Sequence, residues 1–231
     1  MRSPTRRFMM GLLLLALSLF DLPKAYAHPH VWVDAAVIIH RNDAGQIAAI
    51  EPVWIFDDLY TATLLPDLDL DHSGEVERSE LLNFAQEAVH NLHEWGYFLS
   101  AKKENGQILY FEEKISTESV VLNNRLLLRF KLTLDHPIAS SEVIELKMYD
   151  PSYFIAIELV KEKTVSFLGP DGVAQNQPDT ARNECQSEVM DPSSNENNET
   201  PLSELFFSDE EIAENPDLGS IFAQILRVSC L

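Results

Sequence analysis

The chain has 231 residues, 37 of them acidic against 17 basic, for a formal net charge of −20. So acidic a surface repels phosphate backbones and attracts cations, which argues against nucleic acid as a partner. Its apolar share of 45% is ample for a folded core, and its length suits one large domain or two small ones.

The N-terminus carries Arg2, Arg6 and Arg7, then an apolar run over residues 8–20, then Ala25-Tyr26-Ala27. This order of basic, apolar and small-x-small segments predicts a secretory signal peptide over residues 1–27, cleaved after Ala27. The apolar run falls short of the ~20 residues that a membrane-crossing helix needs. No later stretch is long and apolar enough, so the processed chain is expected not to span a membrane. Cleavage removes Arg2, Arg6, Arg7 and Lys24 but only Asp21, leaving the rest more acidic still.

The exported chain would begin at His28. Val31, Val33, Ala35, Val37 and Ile39 alternate with His30, Trp32, Asp34, Ala36 and Ile38, the period of a strand. Asn42-Asp43-Ala44-Gly45 is a turn and residues 47–56 a second strand, so a hairpin is expected. The period then changes. Asp57-Asp58 can cap a helix running to Pro66, and residues 79–94 form a second, with Leu81, Leu82, Ala85, Ala88, Val89 and Leu92 on one face. Strands are expected again at 98–102, 108–111, 126–134, 143–149, 154–159 and 164–168.

Residues 174–204 are rich in Asn, Ser, Glu and Pro and read as a polar linker. A short helix at 202–207 and a final strand at 221–230 close the chain. Cys185 and Cys230 are the only cysteines, and in an exported protein an even pair predicts a disulfide. These elements define an α+β fold: a mainly antiparallel, sandwich-like β domain over residues 28–173, an inserted EF-hand-like helix–loop–helix at 57–95, the linker, and a C-terminal helix and strand at 205–231 packing back.

The inserted segment carries the sharpest motif. Residues 69–80, Asp-Leu-Asp-His-Ser-Gly-Glu-Val-Glu-Arg-Ser-Glu, match the EF-hand calcium loop position by position. Asp69, Asp71 and Ser73 fall at ligand positions 1, 3 and 5. Glu75 offers its carbonyl at 7, Glu77 sits at 9, and Glu80 is the bidentate ligand at 12. Gly74 stands where the chain turns sharply. Carboxylate, hydroxyl and carbonyl oxygens suit a large hard cation, Ca2+, over thiophilic metals. The bland alternative is a solvated acidic turn, and no second hand is present to pair with this one.

Histidines offer a second candidate. As the new N-terminus, His28 would bring an α-amino group beside its imidazole. With His30 and Asp34 on the same strand face it could contribute to a Zn2+, Ni2+ or Cu2+ site. His90 and His93 lie one helical turn apart and could converge on it. His40, His72 and His136 read as surface or turn residues. No nucleophile–base set, phosphate loop or dinucleotide fingerprint appears, so the chain does not read as an enzyme.

Taken in order, His28-Pro29-His30-Val31-Trp32-Val33-Asp34, Trp54-Ile55-Phe56-Asp57-Asp58, the acidic loop, Tyr149-Asp150-Pro151-Ser152-Tyr153-Phe154 and the terminal Phe222…Cys230 resemble the DUF1007 family of bacterial periplasmic proteins. The resemblance implies a periplasmic accessory component of divalent transition-metal transport, working beside an inner-membrane metal permease, with calcium holding the inserted helices. The competing expectation is a calcium-stabilised structural or interaction module of the cell envelope without transition-metal function.

Overall fold

The computed structural model describes residues 29–174, 185–192 and 209–230. The signal segment, His28 and the helix expected at 202–207 lie outside the described residues. The described chain is mostly β-sheet with few helices, an α+β protein, and its strands form two sheets.

The longer sheet starts from the predicted hairpin. β1 (Val31–Arg41) and β2 (Ile47–Phe56) pair antiparallel from Val33↔Phe56 to His40↔Ala49, with an irregularity before Arg41. β4 (Ser116–Leu122) and β5 (Arg125–Ile138) extend it past β2. The far side of β1 is shared. β7 (Ile155–Leu159) runs parallel to its first half and β8 (Val165–Leu168) parallel to its second. The sheet is therefore mixed at this side, while its other pairings are antiparallel, in line with the mainly antiparallel expectation. The second sheet is wholly antiparallel, in the order β3 (Leu99–Lys103), β6 (Ile144–Met148), β10 (Ile225–Cys230), β9 (Cys185–Met190).

Side chains from both sheets join one buried apolar cluster. Alternation does the sorting: Val33, Ala35, Val37 and Ile39 of β1 and Leu126, Leu128, Phe130 and Leu132 of β5 are each at most 2% exposed. Trp54, 2% exposed, belongs to it, stacked on Phe98 and edge-on to Phe130.

Between β2 and β3 runs the helical insertion. Asp57 caps α1 (Asp58–Leu68) by accepting from the Tyr60 amide at 2.8 Å. Pro66 was expected to end this helix, yet it sits inside the last turn and the helix continues to Leu68. So near the C-terminus its missing N–H costs one bond, and the Asp69 amide still reaches Leu65 O at 3.2 Å. Thr61 is fully buried and its hydroxyl accepts from the Leu126 amide, tying α1 to β5. In α2 (Arg78–Leu92), Leu81, Ala85 and Val89 face the core at i, i+4 and i+8. Leu82, expected on that face, is rotated off it and exposed. A 3-10 turn over His93–Phe98, with positive φ at Gly96, Tyr97 and Phe98, redirects the chain into β3.

Other expectations need correction. Residues 108–111 form only isolated bridges, while β4 carries the pairing. The polar stretch 174–204 contains β9. The final strand starts at Ile225, because Gly219–Phe222 is a short helix, α4, preceded by α3 (Asp209–Glu214).

The turn 149–154 is fixed by Asp150, a buried carboxylate that accepts from Ser152 N, Ser152 Oγ and Ile155 N at 2.8–3.0 Å. Gly219 lies against this turn so closely that a Cβ would stand 1.8 Å from the Asp150 carbonyl oxygen. The Gly219 amide donates to Pro151 O at 3.0 Å. Opposed on neighbouring strands, Cys185 and Cys230 form the expected disulfide.

Candidate metal site

The loop 69–80 runs from the end of α1 into the first turn of α2, so the two helices position its ends. Ligand-bearing oxygens of Asp69, Asp71 and Glu80 lie within 4.8 Å of one another, and no other group of three or more His, Cys, Asp or Glu side chains does so among the described residues. The loop's own amides curl it around these oxygens. Ser73 N donates to Asp69 Oδ1 at 2.9 Å and Asp71 Oδ1 at 3.0 Å, and Gly74 N to Asp69 Oδ2 at 2.9 Å. Gly74 takes a φ of +90°, which only glycine adopts without strain.

Glu80 closes the loop from the far side. One carboxylate oxygen accepts from Leu70 N at 2.7 Å and the other from Glu77 N at 2.9 Å, the second bond also satisfying the start of α2. Ser73 Oγ lies 2.9 Å from the Glu75 carbonyl and 3.1 Å from Glu77 Oε1, while the group of close carboxylates contains only Asp69, Asp71 and Glu80 of the six expected ligand residues. The hydrogen bond shared by the two carboxyls holds Glu77 above the ordinary carboxylate range and Glu80 below it; the backbone amides of Glu77 and Leu70 depress Glu80 further. Among the described ion pairs none engages Asp69, Asp71, Glu77 or Glu80. Carboxylates this close, engaged by none of those ion pairs, make a concentrated negative site suited to a hard cation.

The histidine candidates are placed differently. His30 is exposed at the start of β1, its ring 4.6 Å from that of Phe154. Asp34 is held by Arg125 Nη1 at 2.7 Å. That guanidinium also donates to the carbonyls of Phe56 and Ile55, so Asp34 belongs to a strand clamp. His90 and His93 are exposed near the end of α2, with His93 edge-on to Tyr97. None of these four falls in a three-ligand group.

Sequence reasoning missed a second charged cluster. His40, expected to be a surface residue, is half-buried with Nε2 2.6 Å from Glu51 Oε2. Arg129 continues the row, 3.5 Å from Glu51 Oε1 and paired with Glu118. The row crosses β1, β2, β5 and β4 beside a concavity of about 400 Å³ that Lys131 also lines. No signal within one strand announces it, because each partner comes from another strand.

A two-sheet α+β protein bearing an acidic helix–loop–helix is the class these observations define. The chain belongs to the family described as Protein of unknown function (DUF1007), which it matches over residues 12–230. It is also similar to an uncharacterized protein of Haemophilus influenzae, 25% identical over 219 residues that cover 94% of this chain and 97% of that one. Membership brings no activity with it, so the functional argument rests on the site.

Proposed function

We propose that this protein is a calcium-stabilised module of the cell envelope, whose loop 69–80 holds one Ca2+ in the manner of a single EF-hand. The observation that carries this reading is the convergence of Asp69, Asp71 and Glu80 in a loop where amides of Leu70, Ser73, Gly74 and Glu77 donate to these carboxylates but none of the described ion pairs offsets their charge. Bound calcium would supply that missing positive charge. It would fix the start of α2 against the end of α1, a structural role suited to a lone hand in a β-rich protein. The shared core of the two sheets supports a sandwich-like body to which the hand is attached. Export to the periplasm is supported by the N-terminal sequence and by a disulfide of the kind that oxidising compartments favour.

The test is a thermal melt of purified protein with chelator, with calcium and with magnesium. Free calcium at a hundred times the dissociation constant adds about 2.7 kcal/mol. A melt indifferent to millimolar calcium overturns the reading.

A second reading is favoured by one observation, the exposure of His30 beside the expected mature N-terminus. In it the protein also binds Zn2+, Ni2+ or Cu2+ through His28 and His30 and serves a transition-metal permease. Calorimetry on correctly processed protein, on protein with one extra N-terminal residue and on His30→Ala tests it. Equal transition-metal affinity in all three removes it.

A further inference from the structure

Among the described residues, strand β9 forms the outer edge of the four-stranded sheet, paired with β10 alone, from Ile225↔Met190 to Cys230↔Cys185. Its side chains bury almost nothing: Gln186, Ser187, Glu188 and Val189 are exposed, and only the two end residues are half-buried. The strand beneath is the opposite case, with Leu226, Val228 and Cys230 each at most 1% exposed. Edge pairing without apolar burial is the weakly held end of the stability range.

Two fastenings compensate. At one end the disulfide joins Cys185 to the fully buried Cys230. At the other, Gln224 donates from Nε2 to Asp191 Oδ1 at 2.8 Å while its Oε1 accepts from Leu159 N of β7 at 2.7 Å. The hydrogen-bonded end is exposed, so the covalent one dominates.

We infer that β9 is a disulfide-held strap over the edge of β10, and that reducing this bond releases the strap while the rest of the fold stays intact. A dithiol reductant, such as a protein with a Cys-x-x-Cys pair, is the co-reactant. One of its thiolates attacks the more accessible sulfur, Cys185 Sγ, and Cys230 Sγ departs and takes up a proton. The second thiol resolves the mixed disulfide, freeing Cys185 as a thiol. Two electrons pass, two protein thiols form, and the reductant ends as a disulfide.

β10 remains after release. Its side chains lie in the core, it pairs with β6, and the Cys230 amide donates to Ser140 O at 2.7 Å.

Hydrogen–deuterium exchange on the full chain tests this, comparing the oxidised protein, the same protein in dithiothreitol, and Cys185→Ala, which leaves the buried Cys230 in place. Amides of residues 186–190 should exchange at least ~100-fold faster in the last two samples, with those of β5 unchanged. Unaltered protection of residues 186–190 in both would show that the ladder alone holds β9. Loss of protection in β5 as well would show that the bond holds the whole fold. Either result overturns the proposal.

Discussion

Two groups of charge in this molecule have opposite designs. Across the long sheet, His40, Glu51, Arg129 and Glu118 alternate in sign strand by strand, and Glu51 is buried between its partners. In the loop 69–80, Asp69, Asp71 and Glu80 converge, and none of them is engaged by the ion pairs among the described residues. The first group is complete without a ligand, since every carboxylate in it has a basic neighbour. The second is stable only where water or an added cation offsets the repulsion. Proximity of acidic groups therefore points to a ligand only where the protein withholds the counter-charge.

The sharpest way to break this contrast is Glu80→Gln. Removing the bidentate carboxylate should weaken calcium binding by ~100-fold or more and erase the calcium-induced rise in melting temperature. In chelator the variant should melt slightly below the wild type, because Gln keeps only one acceptor oxygen for the amides of Leu70 and Glu77. Next comes Glu51→Ala, which strips the buried centre of the sheet row, leaving His40 without its carboxylate and Arg129 with Glu118 alone. A loss of about 2–3 kcal/mol in urea unfolding is expected, the same with and without calcium. Glu118→Ala, at the half-exposed end of the row, should cost under ~1 kcal/mol and respond to salt. A calcium-dependent cost for either sheet variant would mean that the two clusters are coupled.

The smallest effect concerns tyrosines outside both clusters. Burial, aided by the charge of Asp57, raises the Tyr60 phenol above its ordinary value, and burial with Glu158 does the same for Tyr153. A raised folded-state value means that the native protein holds these protons more tightly than the unfolded chain. Stability from this source is thus fully present below about pH 10 and is lost as the pH rises past the folded values. Absorbance titration of tyrosinate should show these phenols titrating late. Ordinary titration of all tyrosines in the native protein would contradict it.

Legibility in the sequence followed burial. β1 and β5 announce themselves because one face of each is sealed, giving unbroken period-2 alternation. β4 has one buried residue, Ser119, and β9 has none, so neither carries an apolar period to read. The convergence of Asp69, Asp71 and Glu80 was legible because the three lie within twelve residues of one another in the sequence. The sheet row was not, since recognising Glu51 requires knowing that β1 and β5 flank β2. Leu82 shows the limit of helical patterning: one residue off the Leu81–Ala85–Val89 stripe is 100° of rotation and the difference between core and solvent.

The contact between Gly219 and the Asp150 carbonyl bears on the far end of the chain. It is a ruler mark. Because any side chain there would collide with backbone, the approach fixes the point from which the last residues are counted out. Six positions later β10 begins, in a phase that turns Leu226, Val228 and Cys230 inward. Slipping that mark by one residue would turn the whole strand over, present Arg227 and Ser229 to the core, and carry Cys230 out of reach of Cys185. One missing methyl group thereby sets the registration of the entire C-terminal edge.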